Sequence, residues 1–233
     1  MKALAALSDA LFPDACVACG KVLSDRRYFC APCDRLTETI PAAHCTACGE
    51  PGVFPHRLCA RCTKAPLRLS RAYAPFAHEG SMARAIHRFK YEDHPELARP
   101  LGQLLVESAH EFLASVPGVI CPIPLHKKRY LSRKYDQATL LAVSVSNWLG
   151  REYRDELLTR TRATQRQVGL DDVQRRQNVR GAFASKPAFG LSVLLIDDVM
   201  TTGATADDAA RALLEAGAAQ VNLLTLARAH RDS

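Results

Sequence analysis

Thirteen residues, Val193 to Thr205, carry the densest chemistry in the chain: V-L-L-I-D-D-V-M-T-T-G-A-T. Two adjacent carboxylates, Asp197 and Asp198, follow four apolar residues. A turn with three hydroxyls and a glycine comes next: Thr201, Thr202, Gly203, Ala204 and Thr205. Hydroxyls and backbone N–H groups at the start of a helix suit an anion, and Gly203 admits close backbone approach. The carboxylates cannot serve an anion. They suit sugar hydroxyls or a hard cation such as Mg²⁺, which takes oxygen ligands. If the segment only capped a helix, one such polar residue would suffice, and here there are five.

A second constellation lies near the start. Eight of the nine cysteines form four C-x-x-C pairs, Cys16/Cys19, Cys30/Cys33, Cys45/Cys48 and Cys59/Cys62, and the second four repeat the first at an offset of 29 residues. The surroundings repeat as well: C-V-A-C-G-K returns as C-T-A-C-G-E, and F-C-A-P-C as L-C-A-R-C. This is a duplicated unit, and two knuckles per unit complete one tetrahedral Zn²⁺ site with thiolates alone. Two structural zinc ions are therefore expected, pairing Cys16, Cys19, Cys30 and Cys33, then Cys45, Cys48, Cys59 and Cys62. An interleaved pairing of first with third pair remains open on spacing. Disulfides are the other reading, and a cytoplasmic setting disfavours them.

These groups need elements to hold them. Val193–Ile196 has the length and type of a buried parallel strand, and Ala206–Ala216 is rich in helix formers. Upstream, Ala72–Phe76 reads as a strand and Ser81–Phe89 as a helix with Met82, Ile86 and Phe89 on one face. Leu97–Phe112 reads as a longer amphipathic helix, Val119–Leu125 as a strand, and about Tyr135 to Leu149 as another helix. Val221–Leu226 supplies a last buried strand beyond Gly217, a helix-ending glycine, and the tail after it, Arg228 included, carries no signal. Strand and helix alternate, so the class is α/β with a mostly parallel sheet flanked by helices. Residues 1–66 are expected to form a short helix, with Leu4, Leu7, Leu11 and Phe12 on one face, and the small double zinc ribbon. Residues 67–233 form the α/β domain, and Thr63–Ser70 links the two.

The net charge of +7 is concentrated. Lys127 to Arg180 holds thirteen basic and six acidic residues, and the remainder holds eighteen of each. His126, Lys127, Lys128, Arg129, Arg133 and Lys134 follow the 119–125 strand, placing a basic rim at the sheet edge where ligands collect in such folds. No apolar run reaches the length of a membrane span. The N-terminal stretch is interrupted by Asp9 and lacks a cleavage site, so a cytoplasmic protein is expected.

The Val193–Thr205 stretch resembles the phosphoribosyl pyrophosphate (PRPP) signature of type I phosphoribosyltransferases at all thirteen positions. The resemblance implies that Asp197 and Asp198 hold ribose hydroxyls and that Thr201, Thr202, Gly203, Ala204 and Thr205 hold the 5′-phosphate, with Mg²⁺ accompanying PRPP. Over nearly the whole chain the sequence is similar to the ComF family of competence proteins. That similarity is carried by the Phe12-Pro13 before C-x-x-C-G, Lys90-Tyr91, Pro122–Leu125, and Arg175, Asn178, Val179, Gly181 and Phe183. It departs at Arg133-Lys134-Tyr135-Asp136-Gln137, where the family carries R-G-F-N-Q: Lys134 replaces a glycine and Asp136 adds a negative charge. Lys127, Lys128, Arg129, Arg133 and Lys134 are the candidate pyrophosphate rim. Arg160, Arg162, Arg175 and Arg176 are candidates on a loop that closes over the site.

Three functions remain open on these residues. The first, which the ComF resemblance implies, is a PRPP-binding protein of DNA uptake that also binds single-stranded DNA and meets competence helicase-type partners. The second is a phosphoribosyltransferase of nucleotide salvage or biosynthesis, passing ribose 5-phosphate to a base or amine. The third is a non-catalytic PRPP sensor. No residue set marks an acceptor.

Overall fold

The computed structural model describes residues 14–25, 27–126, 134–163 and 172–229. The expected N-terminal helix with Leu4, Leu7, Leu11 and Phe12, and Lys127, Lys128, Arg129 and Arg133 of the basic rim, lie outside them.

The central sheet is parallel. Strands β1 (Arg71–Tyr73) and β2 (Phe76–Ala77) both pair with β7 (Gln220–Arg228), which pairs with β6 (Ser192–Met200), which pairs with β3 (Val119–Pro122). A separate antiparallel pair joins β4 (Leu158–Arg160) to β5 (Phe183–Ser185). The helices are α1 (Ala31–Asp34), α2 (Ala60–Lys64), α3 (Gly80–Tyr91), α4 (Ala98–Ser108), α5 (His110–Ser115), α6 (Gln137–Leu149), α7 (Asp172–Val179) and α8 (Ala204–Glu215).

The period-two alternation of the strands divides the core. Leu194, Ile196, Leu224 and Leu226 face Met82, Ile86 and Phe89 of α3, Leu101 and Leu105 of α4, and Leu141 and Val145 of α6. Val193, Leu195, Val221 and Leu223 face Ala209, Ala210 and Leu213 of α8. Both faces are covered, as a parallel sheet requires. Cys121 is fully buried, and burial pushes its thiol up to about 12, so it is an inert core residue.

The cysteine units are built into this core. Cys16, Cys30 and Cys33 join the α3-side cluster, and Cys45, Cys48, Cys59 and Cys62 the α8-side cluster. The duplication holds in three dimensions. Cys16 N donates to Lys21 O and Cys45 N to Glu50 O, both at 2.8 Å, and the bridge Ala15–Val22 recurs as His44–Pro51. Gly80, at φ +50, opens α3 where the first unit docks; a Cβ there would lie 2.0 Å from Leu36 O.

Several expected boundaries shift. The helix expected over 97–112 is two, broken at Ala109 with neither Gly nor Pro. The expected linker is held down: Leu67 and Leu69 are buried, and Arg68 donates to Asp207 from its backbone N (2.6 Å) and from Nη1 (2.8 Å). The strand carrying the carboxylates continues through Asp197 and Asp198 to Met200 because β7 pairs with it along its whole length.

Asp208, in α8, ties the N-V-R-G-A-F segment to the signature helix. It is 6% exposed, and its carboxylate accepts from Gly181 N (2.8 Å), Ala182 N (2.8 Å), Phe183 N (3.2 Å) and Arg211 Nε (2.9 Å). Burial works to raise its pKa, but Arg211 and the backbone donors outweigh that and hold the carboxyl below its usual range. A depressed folded-state pKa gives stability above the unfolded pKa that is lost as pH falls through the folded one. Asp208→Ala is expected to cost about 2–4 kcal/mol, from the orphaned donors, in urea melts at neutral pH. The deficit should shrink in acid; a loss under ~0.5 kcal/mol would refute the tie.

Candidate functional site

β3 stops at Pro122, opposite Ile196, while β6 runs four residues further beside β7 alone. The β3-side edge of β6 is therefore open from Asp197 onward, and a cavity of about 280 Å³ lies there. This is the carboxyl end of a parallel sheet, where ligands of such folds collect. Asp197, Asp198, Thr201, Gly203, Ala204 and Thr205 line the cavity, with Ile123–Leu125 after β3, Arg160 of β4, and His78, Lys90 and Tyr91.

The two carboxyls of the acidic pair differ in their partners. Asp198 is 8% exposed, and its Oδ1 lies 2.6 Å from Lys90 Nζ. Asp197 accepts from the Asp198 backbone N at 2.8 Å. Burial and then the neighbouring Asp198 charge push the Asp197 carboxyl well above the usual carboxylate range, against the pull of Lys90. Two adjacent acids beside one lysine, Asp198 buried and Asp197 half-buried, form a site that gains from a further cation or from hydroxyl donors. Hard oxygen ligands fit Mg²⁺, which Asp197 and Asp198 would hold. His78 beside them is held below its ordinary pKa, by burial and by Lys90. Lys90 lies 108 residues before its carboxylate partner: Lys90-Tyr91 belongs to the family resemblance, but no local pattern places it beside Asp198.

The turn divides its residues. Gly203 sits at φ +79 and ψ 2 as the residue before α8, and a Cβ there would lie 2.6 Å from Met200 Cε. The positive φ calls for glycine, whereas Met200 Cε is the end of a flexible side chain that could give way. Thr201 and Thr205 lie on the cavity wall. Thr202 is 1% exposed, and its Oγ1 accepts from Ala204 N at 3.2 Å, so its hydroxyl shapes the turn instead of facing the cavity.

The candidate loop arginines separate. Arg160 is 9% exposed, on the cavity wall, with its guanidinium 5.2 Å from the centre of the Phe183 ring. Arg162 points elsewhere and donates to Asn178 O (3.0 Å) and Arg180 O (2.7 Å). The side chains of Arg175 and Arg176 lie outside the described residues.

Two departures from the family pattern have local explanations. Lys134 adopts φ +66, so this position keeps the conformation that a glycine would take, and its Nζ reaches Asp93 Oδ2 at 2.5 Å on the surface instead of the cavity. Asp136 spends its charge internally: it caps α6 by accepting from Thr139 N (3.2 Å) and pins Leu125 N (2.6 Å).

The thiols group in sequential order, Cys16, Cys19, Cys30 and Cys33 in one set and Cys45, Cys48, Cys59 and Cys62 in the other, each set's sulfurs within 4.8 Å of one another. This answers the pairing that spacing left open. Tetrahedral Zn²⁺ with Zn–S near ~2.3 Å puts sulfurs roughly 3.8 Å apart. Cys19–Cys30 and Cys48–Cys59 each stand at 3.7 Å, far beyond a disulfide bond. Both sets fit structural zinc, with all four ligands supplied by the chain.

The double zinc ribbon domain family matches residues 7–66. DNA utilization protein YhgH of Escherichia coli is 32% identical over 222 residues, covering 93% of this chain and 97% of that protein. Competence protein F of Haemophilus influenzae is 29% identical, covering 92% and 96%, and competence protein ComFC of Bacillus subtilis 28%, covering 85% and 83%. Among solved structures, the glutamine PRPP amidotransferase of B. subtilis aligns with TM-score 0.40 at 20% identity, over 59% of this chain and only 30% of that one. No described helix is long and apolar enough to cross a membrane.

Proposed function

Since the chain belongs to the family of DNA utilization protein YhgH and competence protein F, we propose that it binds PRPP with Mg²⁺ in the β6 cavity and serves in DNA handling. The observation that carries this reading is the open edge of β6. There a buried carboxylate, a half-buried one beside it and the start of α8 line one cavity of about 280 Å³. Asp197 and Asp198 hold the ribose hydroxyls and Mg²⁺. Thr201, Thr205 and the backbone of Gly203 and Ala204 hold the 5′-phosphate, with Thr202 shaping the turn. Lys90 releases Asp198 when the ligand arrives, and Arg160 supplies further positive charge on the cavity wall. The basic rim from Lys127 to Lys134, which carries part of the chain's excess charge, takes the backbone of single-stranded DNA.

Calorimetry with PRPP, with and without Mg²⁺, tests the ligand; no heat at millimolar PRPP would end the reading. Binding of single-stranded DNA is expected to weaken steeply with salt, and neutralising Lys127, Lys128 and Arg129 together is expected to lower the slope of log K against log salt by roughly 2. An unchanged slope would remove the rim from the DNA site.

A further inference from the structure

The carbonyls of the phosphate-loop candidate point at the second cysteine unit. Arg61 lies inside the Cys59–Cys62 knuckle, and its Nη1 donates to Thr202 O at 2.7 Å. Arg228, at the end of β7 and 1% exposed, donates through Nη1 to Met200 O (3.1 Å) and to Thr201 O, while its Nη2 lies 2.5 Å from Glu50 Oε2. Glu50 follows the Cys45–Cys48 knuckle by two residues. Leu67, just beyond the unit, packs against the turn, since a Cβ on Gly203 would lie 3.1 Å from Leu67 Cδ1. Three successive carbonyls, Met200, Thr201 and Thr202, are thus bound by guanidinium groups anchored in or to this unit.

The peptide plane gives this a consequence. In a trans peptide the N–H points opposite to the C=O of the same unit. Met200 O is also held by the sheet, accepting from Ala229 N at 3.0 Å. The Thr201 and Thr202 carbonyls lie beyond the ladder; drawn toward the two guanidinium groups, they turn the N–H groups of Thr202 and Gly203 the other way, toward the side where Thr201 and Gly203 meet the cavity. The sulfurs of Cys45, Cys48, Cys59 and Cys62 fix both anchors, because Arg61 and Glu50 stand close in sequence to ligand residues.

We infer that the second four-cysteine unit sets the shape of the anion loop, with Arg61 and Arg228 as positioning residues that aim its N–H groups into the cavity. The first unit is held instead by Arg88 of α3, whose Nη1 donates to Cys16 O (3.2 Å) and Val17 O (2.9 Å). The inference rests on the PRPP reading for its ligand but not for its geometry.

The test uses the full chain with zinc content measured for every variant. Arg61→Ala is expected to retain two zinc per chain, to weaken PRPP binding about tenfold, as the loss of one charge-assisted hydrogen bond implies, and to speed amide exchange over residues 200–205. Arg61→Lys, which keeps a donor, should recover part of both. Arg88→Ala, which loosens the first unit, should leave exchange over 200–205 unchanged. Unchanged exchange and affinity in Arg61→Ala would overturn the inference, as would equal loosening of the loop by Arg88→Ala. If the wild-type chain binds no PRPP, the ligand reading falls, and the exchange measurements alone decide the positioning role.

Discussion

Asn at both positions 197 and 198 is expected to abolish PRPP binding while leaving the chain folded. Two charge-assisted hydrogen bonds at about 1.5–3 kcal/mol each correspond to a loss of roughly 100-fold or more in affinity. The single variants should differ in stability, because the two carboxyls differ in the free protein. Asp198 is paired with Lys90 at 2.6 Å, so Asp198→Asn leaves a largely buried lysine without its counter-charge and should lower stability. Asp197 has a pKa raised by burial and by Asp198, so ionising it costs folding free energy as pH climbs above its unfolded value. Asp197→Asn removes that cost. Its melting temperature should therefore exceed that of wild type at neutral and alkaline pH, and the gain should vanish in acid where the aspartate is neutral. PRPP–Mg²⁺ needs Asp197 charged, so wild-type affinity should rise with pH, with proton release visible as a binding enthalpy that depends on the buffer. An unchanged affinity in the double variant would remove the acidic pair from the site, whatever the stabilities do.

Whatever depended on neighbours in the chain was legible. The strand–turn–helix from Val193 to Thr205 and the cysteine repeat are local patterns, and both stand where their residue types put them. The contacts that shape the site are not local. Lys90 meets Asp198 across 108 residues, Arg61 meets Thr202 across 141, and Arg228 meets Glu50 across 178. From its sequence context Arg228 was one more basic residue in a short tail; in the fold it is almost fully buried and bound to the loop. Thr202 carries the same residue signal as Thr201 and Thr205, since composition does not say which hydroxyl of a turn closes the turn. The break at Ala109 has no residue signal, because Ala favours helix and packing of α4 and α5 on the sheet decides it. Lys134 taking φ +66 is the converse case: a disfavoured residue holds the glycine conformation, with its side chain tied to Asp93.

Loss of zinc is expected to bring down the cavity together with the ribbons. Each structural site supplies on the order of 10 kcal/mol, against roughly 5–15 kcal/mol of net stability for a whole domain. In a ribbon that stands apart from its neighbours that loss would stay local. Here Cys16, Cys30 and Cys33 belong to the core cluster that includes Phe89 and Leu101, and the second set belongs to the one that includes Leu195 and Leu213. Removing either metal leaves thiols buried against the sheet with no metal to satisfy them. The two sites should nevertheless empty at different rates. Cys19 of the first set is exposed, so a chelator can reach that metal, whereas all four thiols of the second are buried. Titration with a chelator and a chromogenic zinc indicator should give two phases of one zinc each. The slow phase should coincide with loss of the far-ultraviolet dichroism of the α/β body, because reaching the second site requires opening the core. Cys19→Ser should accordingly yield folded protein with reduced stability, and Cys48→Ser should yield little soluble chain. Release of both zinc ions in one phase with the dichroism intact would mean that the ribbons fold independently of the sheet, and the coupling between the second unit and the ligand loop would fall with it.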